Sequence, residues 1–173
     1  MQWKHKIIKN LIKEIKEDTN WKEIYRKISL KETKIGVHLA VFVEPFATLV
    51  LEGQKIVESR FSINRIGPYG QVAKGDIIVI KKSGGPVLGF FSVGDVKYYN
   101  NVNANIRKAI ESNYGYRIGT HHDPKFWDSR QNAKYATLIH VEKIKKTEPY
   151  IIEKKDRMAW VVIRENASQL LFD

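Results

Sequence analysis

The chain has no cysteine, which excludes a disulfide framework and a zinc-thiolate site alike. Nor does it have an apolar run of membrane length. The longest, LAVFV at 39–43 and IIVI at 77–80, are strand-length, whereas a spanning helix needs about 20 apolar residues. Lysines interrupt every apolar stretch near the N-terminus, so the start does not read as a signal peptide. Internal repeats and low-complexity segments are also missing. These absences lead us to expect a cytoplasmic protein with no membrane partner. Acidic residues are in short supply: 19 Asp and Glu stand against 30 Lys and Arg, for a net charge of +11. Such an excess favours polyanionic partners, nucleic acid first among them. At 173 residues the chain is long enough for one domain with a real core, or one domain with an appendage.

Residues 1–34 read as a basic helical extension, carrying ten Lys or Arg and five Asp or Glu. Ile8, Leu11, Ile12 and Ile15 recur at helical spacing, with Lys4, Lys9, Lys13 and Lys16 largely off that stripe. Asn20 and Glu23 have the spacing of a capping box and would open a second short helix with Trp21, Ile24, Tyr25 and Ile28 facing inward. The lysines of this pair could face solvent, nucleic acid or a protein partner.

From Ile35 the period changes to two, and Val37 to Val43 reads as a strand containing His38. The stretch from Glu44 to Ile80 then organises the rest of the chain. Pro45 suits the first position of a short helix, and Glu44 before it suits the positive end of the helix dipole. Phe46, Leu49 and Val50 share a face, and Gly53 stops the helix. In the strand that follows, Glu58 and Arg60 lie on one side, close to the helix end that delivers Lys55. Read from pattern alone, this cluster is either a solvated edge strand with a loose ion pair or a binding cleft.

The loop from Asn64 to Lys74 holds Arg65 and Tyr69, which can reach a phosphate and stack on a base. Ser83, in a Ser-Gly-Gly-Pro turn between two strands, is a rim candidate. Residues 103–114 predict a helix capped by Asn103 and stopped by Gly115. His121, His122 and Asp123 are adjacent, but successive side chains rarely converge on one ion, so no metal is expected. Asp123 and Pro124 predict the start of a short helix carrying Phe126 and Trp127. Ala136 to Ile144 reads as a strand, followed by a basic linker through Pro149. Trp160 to Ile163 reads as a short strand that would complete a barrel, with Lys154, Lys155 and Arg157 before it extending a positive rim.

Gly53, Lys55, Glu58 and Arg60, followed by Gly75-Asp76 and the Ile77–Ile80 strand, resemble the G-x-K-x-x-E-x-R and later GD signature of the ASCH domain, a family of the PUA-like superfamily. The similarity covers roughly residues 36 to 163. It implies an α+β fold, a small curved PUA-like β-barrel with flanking helices over residues 35–165, leaving 1–34 as the helical extension and 166–173 as a tail. It also implies a cleft for RNA or a nucleoside or nucleotide, with Lys55, Glu58, Arg60, Arg65, Tyr69, Ser83 and Trp127 as ligand-binding candidates and no cofactor. Some small ASCH proteins are amidohydrolases that remove an acyl group from the exocyclic nitrogen of cytidine. That alternative would make Lys55 and Glu58 catalytic, although a glutamate stands where those enzymes have a hydroxyl residue, and Glu111 is the available match to their later acidic partner. Ribonuclease chemistry would instead draw on His38, His121 or His122. The residues leave the oligomeric state open.

Overall fold

The computed structural model describes residues 2–30 and 35–166. Two helices, α1 (Gln2–Lys16) and α2 (Lys22–Ser29), precede β1 (Val37–Phe42), α3 (Phe46–Leu51), β2 (Val57–Ser62), β3 (Ile77–Lys82), β4 (Val87–Tyr99), α4 (Ala104–Ile118), β5 (Tyr135–Tyr150) and β6 (Trp160–Arg164). The strands form one curled sheet in the order β2-β5-β4-β3-β1-β6. β1 and β3 run parallel and every other pair is antiparallel. The fold is α+β, and the curled sheet, a half-barrel with β2 and β6 as its edges, is consistent with the PUA-like barrel that the signature implies.

The apolar runs are explained by burial on both faces. In β1 and β3, Val37, Leu39, Ile77 and Val79 face one core, shared with Ile7, Leu11 and Ile15 of α1 and Trp21 and Ile28 of the α2 region. Ala40, Phe42, Ile78 and Ile80 face the second core inside the curl, with α3, α4 and Phe91. A strand covered on both sides loses the apolar-polar alternation of a half-exposed one. Removing each such aliphatic side chain from water stabilises by about 1.5–3 kcal/mol, before entropy is counted.

Curvature comes from β4 and β5, whose pairing shifts register three times. Each shift is a bulge that bends the strand. At one of them Gly89 comes so close to its partner that a Cβ would sit 2.4 Å from the Lys145 carbonyl oxygen. Only glycine fits there. The same bulges explain why β5 continues to Tyr150 where a linker is expected after Ile144.

Three local expectations need correction. The α1–α2 junction is capped by Asp18, whose carboxylate accepts from Asn20 N–H, and not by an Asn20–Glu23 box. Helix α4 passes through Gly115 and ends at Gly119, which adopts the left-handed φ of 82°. Asn103 does cap its start, accepting from Ile106 N–H. Asp123 receives Lys125 N–H in a turn and no helix starts there; the next element is the 3-10 turn Asp128–Arg130. The segment joining α2 to β1, and with it the boundary after residue 34, lies outside the described residues, as do 167–173.

Asp76 is structural here. It is fully buried and accepts from Gly36 N–H at 2.7 Å, Ala73 N–H at 2.8 Å and Asn166 Nδ2 at 3.0 Å. Trp160 Nε1 donates to His38 Nδ1, so His38 Nε2 carries the proton and donates to Asp76 at 3.1 Å. Asp76 therefore ties β3 to the start of β1 and to the segment after β6.

Candidate functional site

The curled sheet is not closed, and its open seam runs between edge strand β2 and the β1–β6 edge. A cleft of about 620 Å³ lies along this seam. Lys55, Glu58 and Arg60 line it on the β2 side. After α3 the chain is stapled back, Gln54 and Lys55 N–H both donating to Leu49 C=O, so Lys55 turns inward just before the strand begins. Its ammonium donates to the Ile118 carbonyl at 2.9 Å, at the C-terminal, negative end of α4, and lies 3.3 Å from Glu58 Oε2. Glu58 Oε1 accepts from Arg60 Nε at 2.6 Å. Arg60 then crosses the seam, donating from Nη2 to the Val41 carbonyl at 3.0 Å, with its guanidinium over the Phe42 and Trp160 rings.

This is a buried network. β2 is indeed an edge strand, but Lys55 is 2% exposed and Glu58 3%, which removes the solvated ion-pair reading. Burial pushes the Lys55 ammonium below the usual lysine range; Glu58 opposes this, and the Arg60 and Arg130 charges add to it. Of its three N–H groups, two are accounted for by Ile118 and Glu58. Phe46 lies under the ammonium, 5.3 Å from its ring centre.

Of the other expected site residues, Ser83 lines the cleft; Arg65, Tyr69 and Trp127 do not. Tyr69 packs edge-on against Tyr98 and Tyr135, with the Arg65 guanidinium over its ring. Trp127 packs edge-on against Phe61 and Phe126, behind the cleft wall. Glu111 is exposed and away from the cleft lining. His38 is locked in the core, while His121 stacks on Tyr116 and touches His122 on the surface. None of the three lines the cleft. Among the described residues no three His, Cys, Asp or Glu side chains gather to hold a metal ion, and no helix is long and apolar enough to cross a membrane.

The cleft also recruits residues that the signature does not announce. Arg130 lies 3.7 Å from the Phe126 ring centre and donates to the Phe126 carbonyl; burial lowers its proton affinity. The four-residue spacing of Phe126 and Arg130 was the available signal. Lys81 enters the lining where β3 shifts register between Ile80 and Lys81, an irregularity invisible in an alternating pattern. Phe42, Phe46, Phe61 and Phe126 supply aromatic surface. Among lining side chains, Lys55, Arg60, Lys81, Arg130, Lys154 and Arg157 are basic, against Glu58 and Asp156.

The chain is a curled six-stranded half-barrel with a basic, aromatic cleft in its seam. Its fold is that of ASCH domains. A structure of ASCH from Zymomonas mobilis superposes with a TM-score of 0.58 at 14% identity, covering 78% of this chain and 93% of that one. Two single-substitution variants of that protein give the same TM-score at 17% and 18% identity. The sequence matches no protein-family model and no curated protein.

Proposed function

We propose that this chain binds a nucleobase, carried by an RNA strand or as a modified nucleoside, in the seam cleft. The observation that carries this reading is the buried Lys55–Glu58–Arg60 relay set against aromatic walls. Arg60 uses two of its five donors on Glu58 and Val41, leaving the rest of its fork for a base edge or phosphate. Glu58 retains acceptor lone pairs for an exocyclic amine or a 2′-hydroxyl. Because Lys55 and Arg60 hold both carboxylate oxygens, Glu58 meets a ligand in one orientation, and little ordering is left to cost affinity. The volume falls within the ~300–1,000 Å³ typical of small-ligand sites.

The test is calorimetric titration of wild type and Arg60→Gln with nucleosides, modified nucleosides and a short single-stranded RNA. Loss of one half-buried charged hydrogen-bond donor should weaken the cleft ligand about tenfold or more. Absence of binding to any of these by wild type, or equal affinity in the variant, overturns the proposal.

A second reading, removal of an acyl group from a cytidine exocyclic nitrogen, is favoured by the lowered proton affinity of Lys55. Glu58 would take a proton from water as its oxygen attacks the acyl carbon, and Lys55 would give a proton to the departing exocyclic nitrogen. Incubation with acetylated cytidine, followed by mass spectrometry, decides between them. Deacylation lost in both Lys55→Met and Glu58→Gln makes the protein an enzyme; an intact, retained ligand makes it a binding module.

A further inference from the structure

The cleft has two charge clusters, built from different elements. The first is Lys55, Glu58, Arg60 and Arg130. The second comes from the end of β3, the β3–β4 turn and the segment before β6: Lys81, Ser83, Gly84, Lys154 and Arg157. Lys81 feels the charge of Lys154, whereas Lys55 responds to Glu58, Arg60 and Arg130. The second cluster thus holds its own like-charge pair, Lys81 and Lys154.

It is also unbalanced. Lys154 pairs with Asp156, although its side chain is only 3% exposed. Lys81 is fixed by two carbonyls, Lys82 O at 3.1 Å and Gly85 O at 2.8 Å, which leaves one N–H of its ammonium unused. Among the described residues Arg157 has no acidic partner, and neither the Ser83 hydroxyl nor the Gly84 amide has a hydrogen-bond acceptor. Three cations thus stand beside one carboxylate, together with a hydroxyl and a backbone N–H in a glycine turn. Lys81 is half-buried and lies close enough to the nearly buried Lys154 side chain to feel its charge, with Arg157 at the exposed rim, and such like charges repel unless an anion joins them. A tetrahedral oxyanion uses such dispersed donors well, whereas a carboxylate or a neutral base edge satisfies fewer of them.

We infer that Lys81, Ser83, Gly84 and Arg157 form a phosphate subsite, so that the ligand of the seam cleft is a phosphorylated nucleotide whose base lies against Lys55, Glu58 and Arg60. This rests on the nucleobase reading for its second half only. The phosphate is either the 5′-monoester of a free nucleotide or a phosphodiester of RNA.

The experiment is calorimetry on the full chain at about 50 mM salt, using the common ribonucleosides, their 5′-monophosphates, ribose 5-phosphate and a 5′-hydroxyl dinucleotide. Wild type is compared with Arg157→Gln, at an exposed position that tolerates change, and with Lys81→Gln. The monophosphate should bind about tenfold more tightly than its nucleoside, and each variant should lower that ratio about threefold or more. Equal affinity for nucleoside and nucleotide, or an advantage that survives both variants, overturns the subsite and leaves the nucleobase reading standing. Binding of ribose 5-phosphate that depends on Lys81 and Arg157, without nucleoside binding, upholds the subsite and overturns the nucleobase reading. If nothing binds, both fall. A dinucleotide sharing the advantage assigns the phosphate to RNA, and one lacking it assigns it to free nucleotides.

Discussion

Substituting Glu58 with Gln removes the one negative charge between two cations while keeping the shape of the side chain. With an effective dielectric constant of ~20, the carboxylate's attraction to the Lys55 ammonium at 3.3 Å is roughly 5 kcal/mol before desolvation. What remains after the change is a buried, uncompensated ammonium, for which breaking a buried pair typically costs about 3–5 kcal/mol. In a chain of this size that corresponds to a fall in Tm of roughly 6–20 °C. Lys55 has one escape, which is to lose its proton. Its proton affinity is already lowered by burial, and without Glu58 it falls further. Between the folded and unfolded pKa values the unfolded chain then binds more protons than the folded one, so stability rises with pH through that window, which lies below the ordinary lysine value of 10.5. Urea unfolding at about pH 7 and about pH 9 should therefore show a smaller Glu58→Gln penalty at the higher pH. The double variant with Lys55→Met should recover most of the loss. A penalty below about 1 kcal/mol, as for an exposed pair, or one that does not change with pH, would mean that Glu58 does not hold a buried Lys55 in its charged form.

Arg60→Lys keeps the charge but loses the fork that spans Glu58 and Val41; calorimetry should show cleft-ligand affinity falling about tenfold even so. Asp76→Asn places an amide among the donors of Gly36, Ala73, Asn166 and His38. Chemical denaturation should register a loss of about 3 kcal/mol or more, and an unchanged midpoint would contradict the structural role given to this carboxylate. Gly89→Ala drives a methyl group toward the Lys145 carbonyl, so thermal unfolding should reveal a loss of about 1–3 kcal/mol.

How far the sequence reaches depends on whether a residue's role is set locally. Strands β1 and β3 and the cap at Asn103 were legible because apolar period, turn chemistry and capping act over a few neighbours. So was the convergence of Lys55, Glu58 and Arg60, which are close in the chain. Their burial was not legible: it depends on Ile118 of α4, 63 residues from Lys55, and on the Val41 carbonyl across the seam. Tyr69 and Trp127 have the right chemistry for stacking on a base, but the fold spends both rings on neighbouring aromatics. Gly115 was the nearer helix stop, yet packing of Tyr114 and Ile118 into the core carries α4 one turn further, to Gly119. Lys81 and the full lengths of β4 and β5 were hidden by bulges, which break the period that a reader of the sequence relies on.

The most direct test of the account is to find which surface touches the ligand. A short RNA carrying 4-thiouridine, photo-crosslinked to the full chain and mapped by mass spectrometry, distinguishes the seam cleft from the lysine-rich outer face of α1 and α2. Adducts are expected in the peptides bearing Lys55 to Phe61, Lys81 to Gly84 and Lys154 to Ala159, suppressed by Arg60→Gln. Adducts confined to α1 and α2, or unaffected by that substitution, would contradict that expectation.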